Sequence, residues 1–598
     1  MKICFVKQDV YQDLYVGDNK LQSKQLLFSS MMRVGPYALI DDLSGDFYII
    51  KEENTEECQI YNHFLRGFGG NYKKLKTDLL NNIPGNHFFE PGSDKPNGYY
   101  SVEADSIEWN KYDIVISINF SIPSRIVNNY KNVLWCYLIG ENNLHLLNSP
   151  KYGYDIALNQ DLIVENYDLS SNVIYFPYTF LSKNTLSNLF DKNIQANSIF
   201  IEINSCRDRP VKSYPEFFDK ISRDLSLNIL THDQNIETNL INLNKSKYFI
   251  KLGGRNIRGN SIIEAISSNT LVVLDKNKTG YSFLIPDECN ITTEDELYSK
   301  IKYFQENETY YLKIKEMQKN ILQKYCYEKP LEHLYFNWYS KVDKAVVFVS
   351  NIPYFCNFLL TLEQLVNIGK YNGDIILIAA DDLYNSKIIT NEKLKQYNVK
   401  VVNFPDIKNI MNDNTVKNIY DNYGPHGKKN YNWGFGCFNK FHLFNPYFKK
   451  YKYIFYLDTG IKIYRPIWDM FTLVKKNTIL AHHDDFPKYH YKLADKFRDI
   501  EPYKHDISEN FDMETKHYFQ TTIMLYDTSI INDDTVKNII NLVDKYPISC
   551  NGDQEYISLY FHQITKQMEQ ITLNKNYDYY YYDYYRRFGI NKYCMSKI

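Results

Sequence analysis

Asp458 closes an apolar run, Tyr453-Ile-Phe-Tyr-Leu-Asp-Thr-Gly-Ile-Lys-Ile463, and a buried strand of that kind delivers its terminal acid to the edge of a sheet. A carboxylate so placed can ligate a hard cation or move a proton. The bland alternative is an Asp that bonds its own turn before Gly460. Other groups of the same kind follow strand-like or turn-like segments: Asp381-Asp382, His482-His483-Asp484-Asp485, and Asp553 in Asn551-Gly552-Asp553-Gln554. Taken singly, Asp381 and Asp553 read better as helix-start residues than as site residues, and the His-Asp run reads equally well as a solvated turn. Lys440, Arg465 and Arg586-Arg587 are cations able to offset negative charge that develops beside them.

The elements that must carry these groups form an α/β pattern. Ala345-Val-Val-Phe-Val349 reads as a first strand, Leu359 to Ile368 as an amphipathic helix and Asp374-Ile-Ile-Leu-Ile-Ala-Ala380 as a second strand. A helix bearing Phe441, Leu443 and Phe444 leads into the Tyr453 strand. Thr478-Ile-Leu-Ala481 and Tyr518 to Leu525 supply further strands. The patch from Tyr577 to Arg587 is nearly all Tyr and Asp, with rings able to stack on a sugar or simply to pack.

Upstream, Ser198 to Ile203, Leu227 to Leu230, Lys247 to Leu252 and Thr270 to Leu274 alternate with space for helices, which predicts a second parallel α/β unit. Its strand-turn-helix, Lys251-Leu-Gly-Gly-Arg-Asn-Ile-Arg-Gly-Asn-Ser-Ile-Ile-Glu264, suits a diphosphate. Gly253 and Gly254 allow close backbone approach, Arg255 and Arg258 add charge, and Asn260 and Ser261 open the helix. Ser261 and Glu264 also fit a capping box. Before this unit, Ile3 to Val6, Tyr112 to Ile118, Asn132 to Tyr137 and Asn172 to Tyr178 read as strands of a first α/β unit with a loop-rich insertion from Pro84 to Gly98.

At 598 residues the chain implies roughly three or four domains. We expect them at 1–190, 191–338 and 345–598, with a linker over 339–344 where the helical pattern, ended by Pro330, gives way to a fresh strand. The formal charge of −2 provides no global basic field for nucleic acid or an anionic membrane, and no run is long enough for a membrane span. The ten cysteines lie singly, as free thiols of a reducing compartment do, so a cytoplasmic location is expected. Abundant Asn, Lys, Ile and Tyr fit an AT-rich coding genome, including that of a large DNA virus acting in its host's cytoplasm.

Two resemblances follow from these motifs. Residues Gly253 to Pro286 look like the nucleotide-sugar-binding half of GT-B glycosyltransferases, whose helix glutamate, matched by Glu264, holds the donor ribose. The departure is Asn256, where many members carry another glutamate. Residues 344–565 resemble GT-A glycosyltransferases of the family 8 type, which includes glycogenin and bacterial galactosyltransferases. The resemblance implies a base-holding loop at Ser350, Asn351 and Tyr354, a donor-site Asp381 and Lys440, and an Asp-x-Asp at Asp458 to Gly460. It further implies a small polar residue at Thr521 and an acceptor segment at Asp553-Gln554. Gly460 replaces the second acid, the usual ligand of Mn²⁺ or Mg²⁺, so Asp458 would need help from His482, His483, Asp484 or Asp485. Asp553, Asp484 and Asp485 are also the candidate bases if the reaction inverts configuration; a retaining reaction, as in family 8, requires none.

The expected protein is therefore a glycosyltransferase with a nucleotide-sugar donor and a glycan or glycosylated acceptor, built from two GT-B-like Rossmann-type domains and one GT-A-like domain with a mostly parallel sheet. It would make two successive transfers, or pair an active module with a degenerate one. A non-catalytic carbohydrate-binding scaffold is the alternative. A sugar nucleotidyltransferase would want a basic glycine-rich turn where Ser350-Asn-Ile-Pro353 stands.

Overall fold

A computed structural model of the chain describes residues 1–8, 43, 45–50, 103–118, 122–139, 153–159, 171–175, 183, 197–202, 214–231, 242–251, 260–277, 282–422, 436–483, 492–497, 500–515, 518–549 and 552–571. These divide into two compact units, Lys2–Asn337 and Trp338–Ile598. The chain is mixed α/β with mostly parallel sheets.

Among the described residues, the Lys2–Asn337 unit holds two sheets. In the first, β1 (Ile3–Gln8), β2 (Asp46–Ile50), β3 (Ile114–Ile118), β4 (Leu134–Ile139), β5 (Ile156–Asn159) and β6 (Val173–Tyr175) lie in the order β2-β1-β3-β4-β5-β6. All its ladders are parallel. Runs such as Ile114-Val-Ile-Ser-Ile118 are apolar at nearly every position because such strands are covered on both faces. In the second sheet, β7 (Ser198–Glu202), β8 (Asn228–Thr231), β9 (Tyr248–Lys251) and β10 (Leu271–Leu274) take the order β10-β9-β7-β8, again parallel. The predicted boundary near 190 and the 84–98 insertion lie outside the described residues.

Pro330 does not end a helix. The chain breaks after helix Glu308–Gln323, and Pro330 falls in the first turn of helix Glu328–Lys341, where a missing N–H costs nothing. Nor is 339–344 a linker. It is helical to Lys341 and enters a strand at Lys344. The reason is aromatic burial: Trp338 stacks edge-on to Tyr453 at 5.5 Å and Tyr339 lies 5.2 Å from Phe471, so this segment belongs to the core that follows it.

The Trp338–Ile598 unit is built on seven described strands. These are β11 (Lys344–Ser350), β12 (Asp374–Ala379), β13 (Val399–Val402), β14 (Tyr453–Leu457), β15 (Ile479–His483), β16 (Phe519–Asp527) and β17 (Met568–Gln570), in the order β13-β12-β11-β14-β16-β15-β17. β11 pairs in parallel with β12 and β14, while β16 runs antiparallel between β14 and β15. The chain moves outward from β11 to β12 and β13, then returns on the other side of β11 as β14. The strand order reverses between β11 and β14, and a crevice outside their carboxyl ends is where such sheets take ligands.

Helix Phe355–Asn367 covers this sheet with Phe355, Phe358, Leu359, Leu362 and Leu365, which recur at three- and four-residue steps and are buried. The expected helix around Phe441 is a 3₁₀ helix, Cys437–Phe444. Its Phe438, Phe441, Leu443 and Phe444 face the core.

Candidate functional site

A cavity of about 310 Å³ lies at the crevice between the ends of β11 and β14. Its size is at the small end for a ligand pocket. β11 and the turn after it contribute Ser350, Asn351 and Tyr354. That turn is held by Asp382, whose Oδ2 accepts the Ile352 N–H at 3.2 Å. Asn351 is 6% exposed, and its side-chain oxygen has no hydrogen-bond partner among the described residues. A buried amide oxygen left so costs free energy until something donates to it. Its neighbour in the wall is Gly436, where a Cβ would come within 3.2 Å of the Asn351 Nδ2.

Lys440 enters the cavity from the 3₁₀ helix. Asn439 anchors that helix by accepting the Ile407 N–H and donating to Asp406, each at 3.1 Å, while His442 Nε2 meets the Pro405 carbonyl at 2.8 Å. Burial lowers the His442 pKa below its ordinary value. Cys437, on the same wall, has its thiol pushed up to about 12 by burial, so it stays protonated.

Asp458 and Thr459 reach the cavity from β14, and Thr521 and Thr522 from β16. The β15–β16 register jumps between Ala481, opposite Met524, and His482, opposite Gln520. This irregularity takes Thr521 and Thr522 out of the ladder with β15, as bulges beside binding sites do. The Thr522 carbonyl accepts the Asp458 N–H at 2.8 Å, which fixes the backbone of the acid.

Asp553 starts helix Asp553–Ser558 after Gly552, whose φ of 82° glycine tolerates. Its carboxylate accepts the Thr521 hydroxyl. Lys440 Nζ then stands between two acids, 3.7 Å from Asp458 Oδ1 and 3.5 Å from Asp553 Oδ2. The acids differ in setting, with side-chain exposures of 19% for Asp458 and 3% for Asp553. Burial pushes the Asp553 carboxyl up, partly opposed by Lys440 and the Thr521 hydroxyl. The arrangement can bind an anion at Lys440 and hydroxyls at the acids.

The cavity thus brings together Ser350, Asn351, Tyr354, Lys440, Asp458, Thr521, Asp553 and Gln554 of the residues expected from sequence. Others stand elsewhere. Asp381 begins helix Asp381–Tyr384, and its carboxylate accepts the Asn403 amide at 3.1 Å rather than lining the cavity. Gly460 does not line it either. Its φ is 87°, and a side chain there would meet Asn357. His482 is buried within β15, away from the lining, and Arg465 is paired with Asp469 at 3.0 Å. The side chain of His483, Asp484, Asp485 and Arg586-Arg587 lie outside the described residues.

Among the described residues, no three His, Cys, Asp or Glu side chains form a group that could hold a metal ion. Position 460 supplies no ligand, and an ammonium stands between the two cavity acids. Hard cations want several oxygens, and the described residues of the cavity do not make up such a set.

In the other unit, Gly253, Gly254, Arg255 and Arg258 lie outside the described residues. Helix Asn260–Ser267 begins at Asn260. Ser261 is inside the helix and does not form the capping box. It donates to Glu202 and accepts from Lys251 at 2.9 Å, while Lys251 and Glu202 form a buried ion pair at 3.0 Å. The pair joins the carboxyl ends of the adjacent strands β7 and β9. Glu264 lies half-buried one turn further on.

Sequence reading singled out Asp382 beside Asp381 but not its hold on the Ile352 turn, and it missed two other residues that hold the site. Tyr456 could have been found by strand alternation from Asp458. Thr361 carried no signal, because its partner at Gly460 is remote in the chain.

No protein-family model and no curated protein matches this sequence. Among solved structures the chain is similar to mouse xyloside xylosyltransferase 1 at 14% identity, over 42% of this chain and 95% of that one, with a TM-score of 0.27. It is similar to the galactosyltransferase LgtC at 11% identity, over 41% and 84%, with a TM-score of 0.28. A third likeness is to a DNA-modifying β-glucosyltransferase, at 13% identity over 56% and 97%, with a TM-score of 0.28.

Proposed function

We propose that the chain is a glycosyltransferase using a nucleotide-sugar donor, with turnover in a GT-A-like Trp338–Ile598 unit. The observation that carries this reading is the convergence of Lys440, Asp458 and Asp553 in one strand-end cavity. The buried Asn351 acceptor supports a base site on the first loop, since a nucleobase N–H would satisfy it. Lys440 takes the diphosphate, stabilising the charge that develops as the bond from the sugar to the phosphate oxygen breaks. Asp458 and Asp553 take sugar and acceptor hydroxyls.

For Lys2–Asn337 we propose a GT-B-like pair of Rossmann-type domains, 1–190 facing acceptor and 191–338 facing donor, with Ser261 and Glu264 in the donor half. The strand order supports a ligand crevice between β7 and β9. The Lys251–Glu202 pair, which leaves the lysine neutralised, favours the first-named unit as the site of turnover.

The test is to incubate the full chain with a panel of nucleotide sugars and read sugar release and transfer by mass spectrometry. At least one donor should be consumed, with loss in Asp458→Asn. Glycan binding without consumption of any donor would favour the non-catalytic scaffold instead.

A further inference from the structure

We infer that Tyr456 is a positioning residue for the acid–lysine pair, orienting Asp458 and seating Lys440 from beneath the cavity. The inference rests on the transferase reading above and names a residue that reading does not use.

Side chains two apart on an extended chain share a face, so Tyr456 and Asp458 project to the same side of β14. Tyr456 is 0% exposed and does not line the cavity. Its hydroxyl donates to Asp458 Oδ1 at 2.9 Å. Its ring lies 5.6 Å from Lys440 Nζ, within cation–π range, and the same Oδ1 is 3.7 Å from that ammonium. One buried side chain therefore touches both members of the pair.

The ring is well placed to be a rigid support. It sits in the core, with Val347 of β11 and Met524 of β16 as its cross-strand neighbours. A tyrosine has only two side-chain torsions to fix, and here packing fixes both. Asp458 is then held at two points, its backbone N–H by the Thr522 carbonyl and its carboxylate by the Tyr456 hydroxyl. A carboxylate held in advance needs no reorganisation when a sugar hydroxyl arrives.

The two interactions can be separated. Tyr456→Phe deletes the hydroxyl and keeps the ring under Lys440, whereas Tyr456→Leu removes both. With the full chain and the donor consumed by wild type, Tyr456→Phe should lower kcat by about 10- to 100-fold, the scale of a small misplacement of a reacting group. Its nucleoside diphosphate Kd, read by calorimetry, should stay within about threefold, because Lys440 keeps its seat. Tyr456→Leu should weaken that binding as well. On an Asp458→Asn background, Tyr456→Phe should change the residual rate by less than about twofold, since the two act through one bond.

A Tyr456→Phe variant with wild-type kcat overturns the inference, as does one losing kcat and binding in equal measure, the mark of a merely structural change. A wild-type chain that neither binds nucleoside diphosphates nor consumes any donor overturns the transferase reading itself, whatever stands at 456.

Discussion

The Thr361 hydroxyl accepts the Gly460 N–H at 3.0 Å and donates to the Ile461 carbonyl at 3.0 Å. With Gln364 accepting the Ile463 N–H at 2.8 Å, helix Phe355–Asn367 clamps the segment leaving β14. The clamp holds Gly460 at a φ of 87°, two residues past Asp458. Space is not what makes this position glycine, because an added Cβ would sit 3.6 Å from the Asn357 amide, an ordinary contact. The backbone is.

Restoring a second acid should therefore fail. Gly460→Asp must adopt a left-handed backbone at a cost of about 1–2 kcal/mol, and Gly460→Asn rather less, since a short amide tolerates that region. Urea denaturation reads both. The Asp variant should gain no Mn²⁺ affinity in a calorimetric titration, because its side chain would face Asn357. A variant as stable as wild type would show that the turn can relax.

Asp553 gives a pH dependence with a definite sign. Burial raises its folded pKa above the unfolded value, so the folded state holds the proton longer. Stability from this group is greatest below the ordinary carboxylate range and falls as pH rises from there through the raised folded value, then stays level. Asp553→Asn removes the penalty and keeps an acceptor for Thr521. It should match or exceed wild type in melting temperature at pH 7, with the gap closing at pH 4, while donor consumption falls at least about tenfold. A gap that widens as pH falls would mean that the acid is ionised and stabilising in the fold.

Of the strands of the Trp338–Ile598 unit, β11, β12, β14, β15 and β16 were legible because each carries an apolar run bounded by turn residues, as Tyr453–Leu457 is ended by Asp458 and Gly460. β13, with Lys400 in its middle, and β17, the three residues Met568-Glu-Gln570, carried no such run. Legible too were the loops at Ser350 and Asp458, whose polar groups stand at the ends of such runs, and Asp553, which follows the Asn551-Gly552 turn signal at a helix start. β2 and β5 escaped notice: Asp46-Phe-Tyr-Ile-Ile50 opens on an acid, and Ile156-Ala-Leu-Asn159 is only four residues long. Hidden as well was everything that depends on contact between distant segments. Asp381 and Asp382 are adjacent and alike in sequence, yet only the fold decides that Asp382 holds the Ile352 turn while Asp381 binds Asn403. The same holds for Ser261, whose spacing to Glu264 spells a capping box but whose hydroxyl meets Glu202, a residue on another strand.

Lys440 is the basic side chain among the described residues that line the cavity, and it should dominate anion binding. Charge-assisted hydrogen bonds contribute about 1.5–3 kcal/mol, so Lys440→Met should weaken nucleoside diphosphate binding by about 10- to 100-fold. Lys440→Arg should recover only part, because a planar guanidinium cannot repeat the compact contact of an ammonium between Asp458 and Asp553. Calorimetry with the panel of nucleoside diphosphates checks both. Unchanged affinity in the Met variant would place the diphosphate away from this cavity.

Asn351 offers the sharpest separation of stability from binding. An unpaired buried oxygen costs about 1–3 kcal/mol in the empty protein, a cost repaid only when a ligand donates to it. Asn351→Ala should therefore leave the unliganded chain as stable as wild type or more so, while weakening nucleotide binding about tenfold. Gly436→Ala, which brings a methyl within 3.2 Å of the Asn351 amide nitrogen, should weaken binding in the same direction by shifting that amide. Melting curves with and without nucleotide give both quantities in one experiment. Opposite signs for stability and affinity in Asn351→Ala mark a ligand contact, whereas a parallel loss of both would make Asn351 a residue of the fold alone.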